Sequence, residues 1–453
     1  MGGLSADVAA ALHRAEPLVA AMRPAPPTAA ERVEGGNASS VPTPAEAASR
    51  ALLGVLAEPG DGTLGALVAS LGAPAAAAFV GGERPAGELL RAHPELALDP
   101  GGRAVEDGLE RWRQRLAPDP FLRSLEQAER LGARLLLPGD DGWPDRLDDL
   151  GVHAPLALWV RGDPQLVDAR PGVAVVGARA ATGYGEQLAL ETATGLVDRG
   201  CTIVSGGAYG IDGAAHRAAL RRGGATVAVL AGGPDRLYPQ GHAALLGEIV
   251  ERGAVVSELP CGAAPTKWRF LARNRVIAAL SDAVLVVEAG WRSGALNTAH
   301  HAASLGRPVG VMPGPVTSPA SAGCHRLLRE QEAVCVTDAA EAAELLGPGG
   351  ETMLGPLGEA RLAGAPLQSD AATSSGAGSG TVSRSGPSGP QPAAGLREVE
   401  IRLLDAMSVR TPRSVAELAA RAGLEPSRTL GALGTLDALG RVRRTTDGWL
   451  ISR

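Results

Sequence analysis

The sequence predicts an α/β protein built around a Rossmann-like, doubly wound parallel sheet over residues 155–347. In this region short β-branched runs alternate with helical stretches, which is the chain order of a parallel sheet. Each run is continuously hydrophobic rather than alternating, and this indicates strands that are buried on both faces. In such a sheet, ligands bind beyond the carboxyl ends of the strands.

The predicted sheet contains seven strands, each followed by a helix. The strands cover 173–177, 202–205, 226–231, 254–257, 283–289, 308–312 and 333–336. The helices lie near 184–199, 213–222, 241–252, 268–281, 295–305, 322–330 and 338–346. Because a helix separates every pair of consecutive strands, we expect the strands to pair in parallel.

Two segments precede the sheet. Residues 1–47 are rich in Ala, Pro and Glu and predict a disordered arm, within which residues 5–21 can form a short helix. Residues 48–150 contain short apolar-periodic segments separated by Gly and Pro, which predicts a small helical domain of the SAM or helix-hairpin type.

Two further segments follow the sheet. Residues 348–394 are dense in Gly, Ser and Pro, which is typical of a flexible linker. Residues 396–453 show the helix, helix, turn, helix and hairpin order of a winged helix. Its third helix is nearly bare of base-reading side chains, so a protein contact is slightly favoured over DNA reading. DNA contact is the alternative, because three arginines cluster in the predicted hairpin, at positions 441, 443 and 444.

Composition limits the function classes. The 453-residue chain has a formal charge of −6, so a nucleic-acid site must be a local basic feature. The four cysteines form no CxxC pair, and we predict no metal site and no cofactor. No apolar run approaches the ~20 residues that span a bilayer, and the first residues lack the pattern of a signal peptide. We therefore expect a cytoplasmic protein without membrane insertion.

The loops after the first two strands suggest phosphate binding. Gly177 and Arg179 precede a predicted helix, whose free N–H groups favour anions, while arginine offers a bidentate fork for phosphate. The alternative is a tight strand–helix turn with no ligand. Ser205 and Gly206 end the second strand, where a hydroxyl and close backbone approach are available. Asp212 is expected to cap the next helix.

The connection at 265–275 gives the strongest indication of a binding site. It contains the only lysine of the chain, Lys267, together with three arginines and two aromatic residues, and it has no acid. Cations neutralise phosphates and aromatic rings stack on unpaired bases, so the segment favours single-stranded nucleic acid. The alternative is an amphipathic helix with its aromatics in the core. The candidate residues here are Lys267, Arg269, Phe270, Arg273, Asn274 and Arg275.

The next connection adds Ser293 and Gly294 at a predicted helix N-terminus, a second anion-type position. Glu258 and Glu288 also lie at strand ends. They could serve a hydrolase, but an orienting role for the arginines is favoured. The aromatic residues near strand ends supply three stacking candidates: Tyr209, Trp268 and Trp291.

These motifs resemble those of the DprA (Smf) DNA-processing family. The matching stretches are GARAAT, SGGAYGID, SELPCGAAPTKWRFLARNRVIAALS and VVEAGWRSGALNTAHHAASLGRPV, in the order of the family. The chain departs from the family pattern at Ala178, Tyr209, Leu271 and His325, where Ser, a basic residue, Pro and Asn are usual.

The resemblance implies a non-enzymatic, self-associating protein, expected to be a homodimer, that binds single-stranded DNA. It also implies that the protein protects incoming strands and loads the RecA recombinase in natural transformation. By position, the pocket would comprise Arg179, Lys267, Phe270, Arg273, Asn274 and Arg275, with Ser205 and Gly206 on its floor. The alternatives are a nucleotide or nucleoside hydrolase that uses the same cleft and a regulatory adaptor that acts through the winged helix.

Overall fold

The computed structural model describes residues 5–24, 41–99, 103–347, 398–408, 411–422, 424 and 426–452. Seven helices form the amino-terminal domain within these ranges. They are α1 (Ala6–Met22), α2 (Pro44–Leu56), α3 (Gly62–Leu71), α4 (Ala73–Val80), α5 (Ala86–Ala92), α6 (Arg103–Gln114) and α7 (Pro118–Arg130).

Helix α1 differs from the expectation of a disordered arm. The short helix predicted at 5–21 is present, and it packs into the helical domain with Ala15 and Val19 fully buried. Its buried residues recur every three or four positions, which places them on one face, and the Ser5 side chain caps its start. The remainder of the predicted arm includes residues 25–40, which lie outside the described residues.

The central sheet has nine strands in the order β1-β2-β6-β5-β4-β3-β7-β8-β9. The seven predicted strands are confirmed, and all of their neighbouring pairs are parallel. The bounds are β1 (Arg134–Leu136), β2 (Leu158–Gly162), β3 (Gly172–Val176), β4 (Thr202–Ser205), β5 (Thr226–Leu230), β6 (Ala254–Ser257), β7 (Ala283–Val286), β8 (Val309–Val311) and β9 (Ala333–Cys335).

Strands β1 and β2 extend the sheet beyond the predicted boundary at residue 155. They pair antiparallel, and β2 also pairs antiparallel with β6. The sheet therefore begins at Arg134, within the segment expected to be helical. Leu135 and Trp159 from these strands share one hydrophobic cluster with the helices of the amino-terminal domain, so that domain packs against this edge.

Helices cover both faces of the sheet. They are α8 (Gly183–Val197), α9 (Ile211–Arg222), α10 (Ala243–Arg252), α11 (Lys267–Ala279), α12 (Ala295–Ser304), α13 (Ala322–Glu330) and α14 (Ala339–Glu344). Helices α8, α9 and α14 pack on one face, whereas α11 and α12 pack on the other. The chain winds outward in one direction from β3 to β6 and in the other from β7 to β9. The switch point of the sheet thus lies between β3 and β7, where ligands of doubly wound sheets bind.

The carboxyl-terminal module has the predicted winged-helix order. It comprises α15 (Glu398–Ala406), α16 (Val415–Ala422), α17 (Pro426–Ala438) and the antiparallel hairpin β10 (Val442–Thr445) and β11 (Gly448–Ile451). Leu403, Leu418 and Leu433 are fully buried in its own core. The Ser414 hydroxyl accepts from the Glu417 N–H and caps the start of α16. The predicted linker at 348–394 lies outside the described residues.

Among the described helices, none has the length and apolarity to cross a bilayer by itself. Only α3 and α4 taken together, with a bend of 119° between them, have a suitable length and composition.

Candidate functional site

A cleft of about 850 Å³ opens at the switch point of the sheet. Its walls are the loop 176–180 after β3, the loop 290–295 after β7, and helix α11, and we call it the strand-end cleft. The sequence placed candidate residues in all three walls. The structure brings nine of them together in the lining: Gly177, Arg179, Lys267, Phe270, Arg273, Asn274, Trp291, Ser293 and Gly294.

Phe270 forms the aromatic centre of one wall. The guanidinium carbon of Arg179 lies 4.4 Å from the centre of the Phe270 ring, within cation–π range. The Tyr238 ring lies 5.8 Å from Phe270 at an angle of 48° and also lines the cleft. This wall therefore presents a flat ring beside a cation, which is an arrangement suited to a base and its adjacent phosphate.

Three exposed cations line the strand-end cleft: Arg179, Lys267 and Arg292. Within the part of the chain that the structure describes, none of the three forms an ion pair. Of the lining residues that the structure describes, Asp212 alone has an acidic side chain, and it is buried. The mouth of the cleft is consequently electropositive and can accept phosphate groups without displacing an internal partner.

Arg273 supports the cleft from beneath. It is 7% exposed, donates to the Gly206 carbonyl at 2.9 Å and contacts the Val229 carbonyl. Burial lowers the pKa of Arg273 to about 10, opposed by the charge of Asp212. Burial raises the pKa of Asp212, while Arg273 and the N–H groups of Gly206 and Ala208 favour its charged form. Arg273 therefore makes internal contacts that stabilise the floor.

Asn274 connects two walls of the cleft. Its side-chain amide donates to the Gly294 carbonyl and to the Asn297 Oδ1, each at 3.2 Å. The first turn of α12 is thereby fixed to α11. Ser293 Oγ accepts from the Ala295 N–H at 3.3 Å, so this helix N-terminus already has one polar partner. Asn274 and Ser293 thus shape the cleft through contacts within the protein.

Arg269 and Arg275 lie outside the lining, although they belong to the same helix. Arg269 pairs with Glu58 of the amino-terminal domain, with Nε to Oε2 at 2.9 Å. Arg275 pairs with Glu258 through two hydrogen bonds of 2.7 Å. The predicted orienting role of Glu258 is therefore confirmed. Glu288 instead accepts from the Thr182 N–H and hydroxyl, so the expectation that it orients an arginine is wrong.

Ser205 and Gly206 lie below the cleft rather than in its lining. The fully buried Ser205 hydroxyl donates to the Val175 carbonyl at 2.7 Å and ties β4 to β3. A Cβ atom at Gly206 would lie 2.4 Å from the Arg273 guanidinium, so the missing side chain makes room for Arg273. The expected capping by Asp212 takes a different form, because its carboxylate accepts from the N–H groups of Gly206 and Ala208 in the preceding loop.

The three stacking candidates occupy different places. Trp291 is 59% exposed in the lining, and Arg326 lies 5.2 Å from its ring. Tyr209 packs edge-on against His242 at 4.8 Å and lies outside the lining. Trp268 is half-buried and also lies outside it. Trp291 is therefore the only one of the three that faces the strand-end cleft.

Two further residues of the lining were not among the binding candidates: Arg292, and Tyr238, which the sequence places with the aromatic residues near strand ends but not with the stacking candidates. Arg292 stands between two candidates in the 290–295 loop, and its charge in that position is the signal that could have identified it. Tyr238 follows β5, and its approach to Phe270 depends on packing between distant segments. Across the described residues, no group of three or more His, Cys, Asp and Glu side chains is arranged to hold a metal ion.

Comparison with known proteins adds an independent finding. The family model described as DNA recombination-mediator protein A matches residues 134–347, and the DprA winged helix domain model matches residues 387–448. The chain is similar to DNA processing protein DprA of Mycobacterium tuberculosis H37Rv, with 43% identity over 365 residues, 77% of this chain and 84% of that protein.

Two further similarities concern Streptococcus pneumoniae. Its DNA processing protein DprA is 42% identical over 191 residues, which cover 42% of this chain and 67% of that protein. The X-ray structure of DNA processing protein A from this organism superposes with a TM-score of 0.52 and 30% identity. The superposition covers 66% of this chain and 96% of that one.

Proposed function

Because the chain belongs to the DprA (Smf) family of DNA-processing proteins, we propose that it binds single-stranded DNA in the strand-end cleft. The observation that carries the proposal is the combination of three unpaired cations with the Phe270 ring in one lining. Cations neutralise phosphates, and a ring stacks on an unpaired base whatever its identity. Binding is therefore expected to be tolerant of sequence and sensitive to salt.

Each wall of the cleft has a distinct part in this proposal. Arg179 and Lys267 contact phosphates on one side, and Arg292 contacts them on the other. Phe270 stacks on a base between these cations, and Trp291 offers a second stacking surface at the rim. Arg273 and Asn274 keep the walls in place, while Arg269 and Arg275 act indirectly through the position of α11.

The biological role follows from the family. We propose that the protein protects incoming single-stranded DNA and passes it to the RecA recombinase in natural transformation. We also propose that it acts as a homodimer. The family model describes a recombination mediator, and a sequence-tolerant cleft suits a protein that must accept any incoming strand.

Binding without catalysis is favoured over the hydrolase alternative. The two strand-end carboxylates that could serve a hydrolase have internal partners, Arg275 for Glu258 and Thr182 for Glu288. The remaining carboxylate of the lining, Asp212, is buried and engaged by backbone N–H groups. A general base must reach the proton that it removes, and these three side chains are directed to internal contacts.

Titration of a fluorescently labelled oligo-dT by anisotropy tests the proposal. We expect tight binding at about 50 mM salt and much weaker binding at about 200 mM salt. The double variant R179A/K267A should reduce the slope of log affinity against log salt by about 1.4, since each phosphate contact contributes about 0.7 on single strands. The matched control is R222A/R252A, which removes two charges at the ends of α9 and α10, at the opposite edge of the sheet.

Two results would contradict the proposal. An unchanged salt slope in R179A/K267A would show that the strand binds elsewhere. Release of free base from a nucleotide by the wild-type protein would favour the hydrolase alternative. If residues 396–453 alone retained partner binding, the adaptor role of the winged helix would gain support.

A further inference from the structure

A carboxylate of the amino-terminal domain, that of Glu58, contacts helix α11. Glu58 lies in the loop between α2 and α3 and accepts from Arg269 of α11, with Nε at 2.9 Å and Nη2 at 3.1 Å. The same carboxylate accepts from Arg115, which follows α6, at 2.8 Å. Glu58 therefore joins two segments of the chain that are more than 150 residues apart.

This group of charges is largely shielded from solvent. The side chains of Glu58, Arg269 and Arg115 are 11%, 18% and 14% exposed. Two guanidinium groups share one carboxylate, so neutralising that carboxylate leaves two like charges facing each other with little water to screen them. In such a place, removing one partner has a larger effect than it would have on the surface.

Arg269 links Glu58 to the start of α11. Its Nη1 donates to the Ala264 carbonyl at 2.8 Å, in the loop just before the helix. Its backbone N–H donates to the Thr266 hydroxyl, which caps the helix, at 3.2 Å. Lys267 and Phe270 belong to this same first turn and line the strand-end cleft.

A second contact reinforces the first. The Gly60 N–H donates to Glu258 Oε1 at 3.3 Å, and Glu258 holds Arg275 further along α11. Gly60 has φ +76°, and a Cβ atom there would lie 2.8 Å from Arg275 Nε. Only glycine allows this loop to approach the helix so closely. Residues 58–60 thus fix α11 at two points, one turn and a half apart.

We propose that Glu58 is a positioning residue for the strand-end cleft, through which the amino-terminal domain sets the affinity for single-stranded DNA. None of the described residues of that domain lies in the lining of the cleft, so the influence acts through Arg269 and the first turn of α11. This inference rests on the proposed function, because its principal readout is DNA affinity.

The test compares E58Q, R269Q and E58Q/R269Q in the full-length protein by oligo-dT anisotropy, well below their melting temperatures. We expect E58Q to weaken binding by about three- to tenfold, because Lys267 and Phe270 lose their fixed placement. The double variant should bind no more weakly than R269Q, since both changes break the same contact. If E58Q does not fold, E58D keeps the charge on a shorter side chain and should show a smaller loss.

The matched control is D282N. Asp282 pairs with the buried Arg146 and directly precedes β7, at the amino-terminal end of that strand, whereas the cleft lies at the carboxyl ends of the strands. It should lower the melting temperature without changing DNA affinity, which separates positioning from general stability. Affinity of E58Q equal to that of the wild type would overturn the inference. So would tighter binding, which would show that Glu58 withholds Arg269 from phosphate. Failure of the wild-type protein to bind would instead refute the proposed function.

Discussion

The Arg179 guanidinium lies 4.4 Å from the centre of the Phe270 ring, although the two residues belong to separate strand connections. Arg179 follows β3, whereas Phe270 comes from the crossover between β6 and β7. The winding of the sheet brings them together at its switch point. A cation at this distance is attracted to the face of the ring, so each side chain helps to hold the other in place.

Replacing Phe270 by Leu should weaken oligo-dT binding by about 1–3 kcal/mol, the usual contribution of one base–aromatic stack. The salt dependence should stay unchanged, because no charge is removed. Anisotropy titrations at two salt concentrations measure both quantities. The control is F121L, a Phe that is fully buried in α7 and should affect stability alone. A changed salt slope in F270L would show that the ring acts mainly by orienting Arg179.

Replacing Trp291 by Ala should weaken oligo-dT binding without lowering the melting temperature. The ring is 59% exposed, so little packing is lost, while one stacking surface at the rim disappears. We expect a loss of about 1 kcal/mol, near the lower limit for a stacked base. Calorimetry of unfolding provides the companion measurement. Unaltered affinity would remove Trp291 from the binding surface.

The fold was predictable because its signal is local. Each buried strand of the parallel sheet is a hydrophobic run, and each helix that follows has its own pattern, so seven strands were found in order. Strands β1 and β2 were missed because β1 contains only three residues, and their pairing depends on β6 from a distant part of the chain. The packing of α1 into the helical domain was not predicted, because its Ala-rich sequence borders a Pro-rich stretch that is typical of a disordered arm.

The location of the candidate site was predictable from the sequence, but the interaction partners of its cations were not. The sequence shows four cations within 267–275 but does not show their partners. Lys267 is exposed, whereas Arg269 and Arg275 are paired and Arg273 is buried on backbone carbonyls. The partner of Arg269 is Glu58, more than 200 residues earlier in the chain. Charge identity is local information, whereas charge pairing is a property of the folded chain.

Replacing Gly210 by Ala should destabilise the protein by about 2–3 kcal/mol. Gly210 has φ +73°, and a Cβ atom would lie 2.2 Å from the Ala178 carbonyl oxygen in the loop that carries Arg179. DNA affinity should fall as well, because that loop must shift. The control is G247A in α10, where a Cβ atom meets nothing within 4 Å. That change should stabilise the helix by about 0.5–1 kcal/mol. Equal unfolding midpoints in urea for the two variants would contradict the prediction.

His216 should make the free energy of unfolding fall as the pH is lowered. Its Nδ1 lies 2.7 Å from the Thr226 hydroxyl, which donates its own hydrogen to the Ile203 carbonyl, so Nδ1 must be the donor. Complete burial, and to a lesser extent the charges of His242, Arg273 and Arg217, together lower the pKa of His216 to about 3. The folded protein therefore keeps this imidazole neutral under conditions in which the unfolded chain protonates it.

A folded-state pKa below the unfolded value of about 6.5 gives a stability that is complete above pH 6.5 and is lost as the pH falls toward 3. At pH 5 the loss from this one group is about 2 kcal/mol, since each pH unit contributes about 1.4 kcal/mol. The variant H216N keeps an amide donor for Thr226 but cannot titrate. Urea unfolding at pH 7.5 and pH 5.0 should therefore show a smaller loss for H216N than for the wild type. Equal losses would mean that His216 is protonated in the folded protein and that its burial does not keep it neutral.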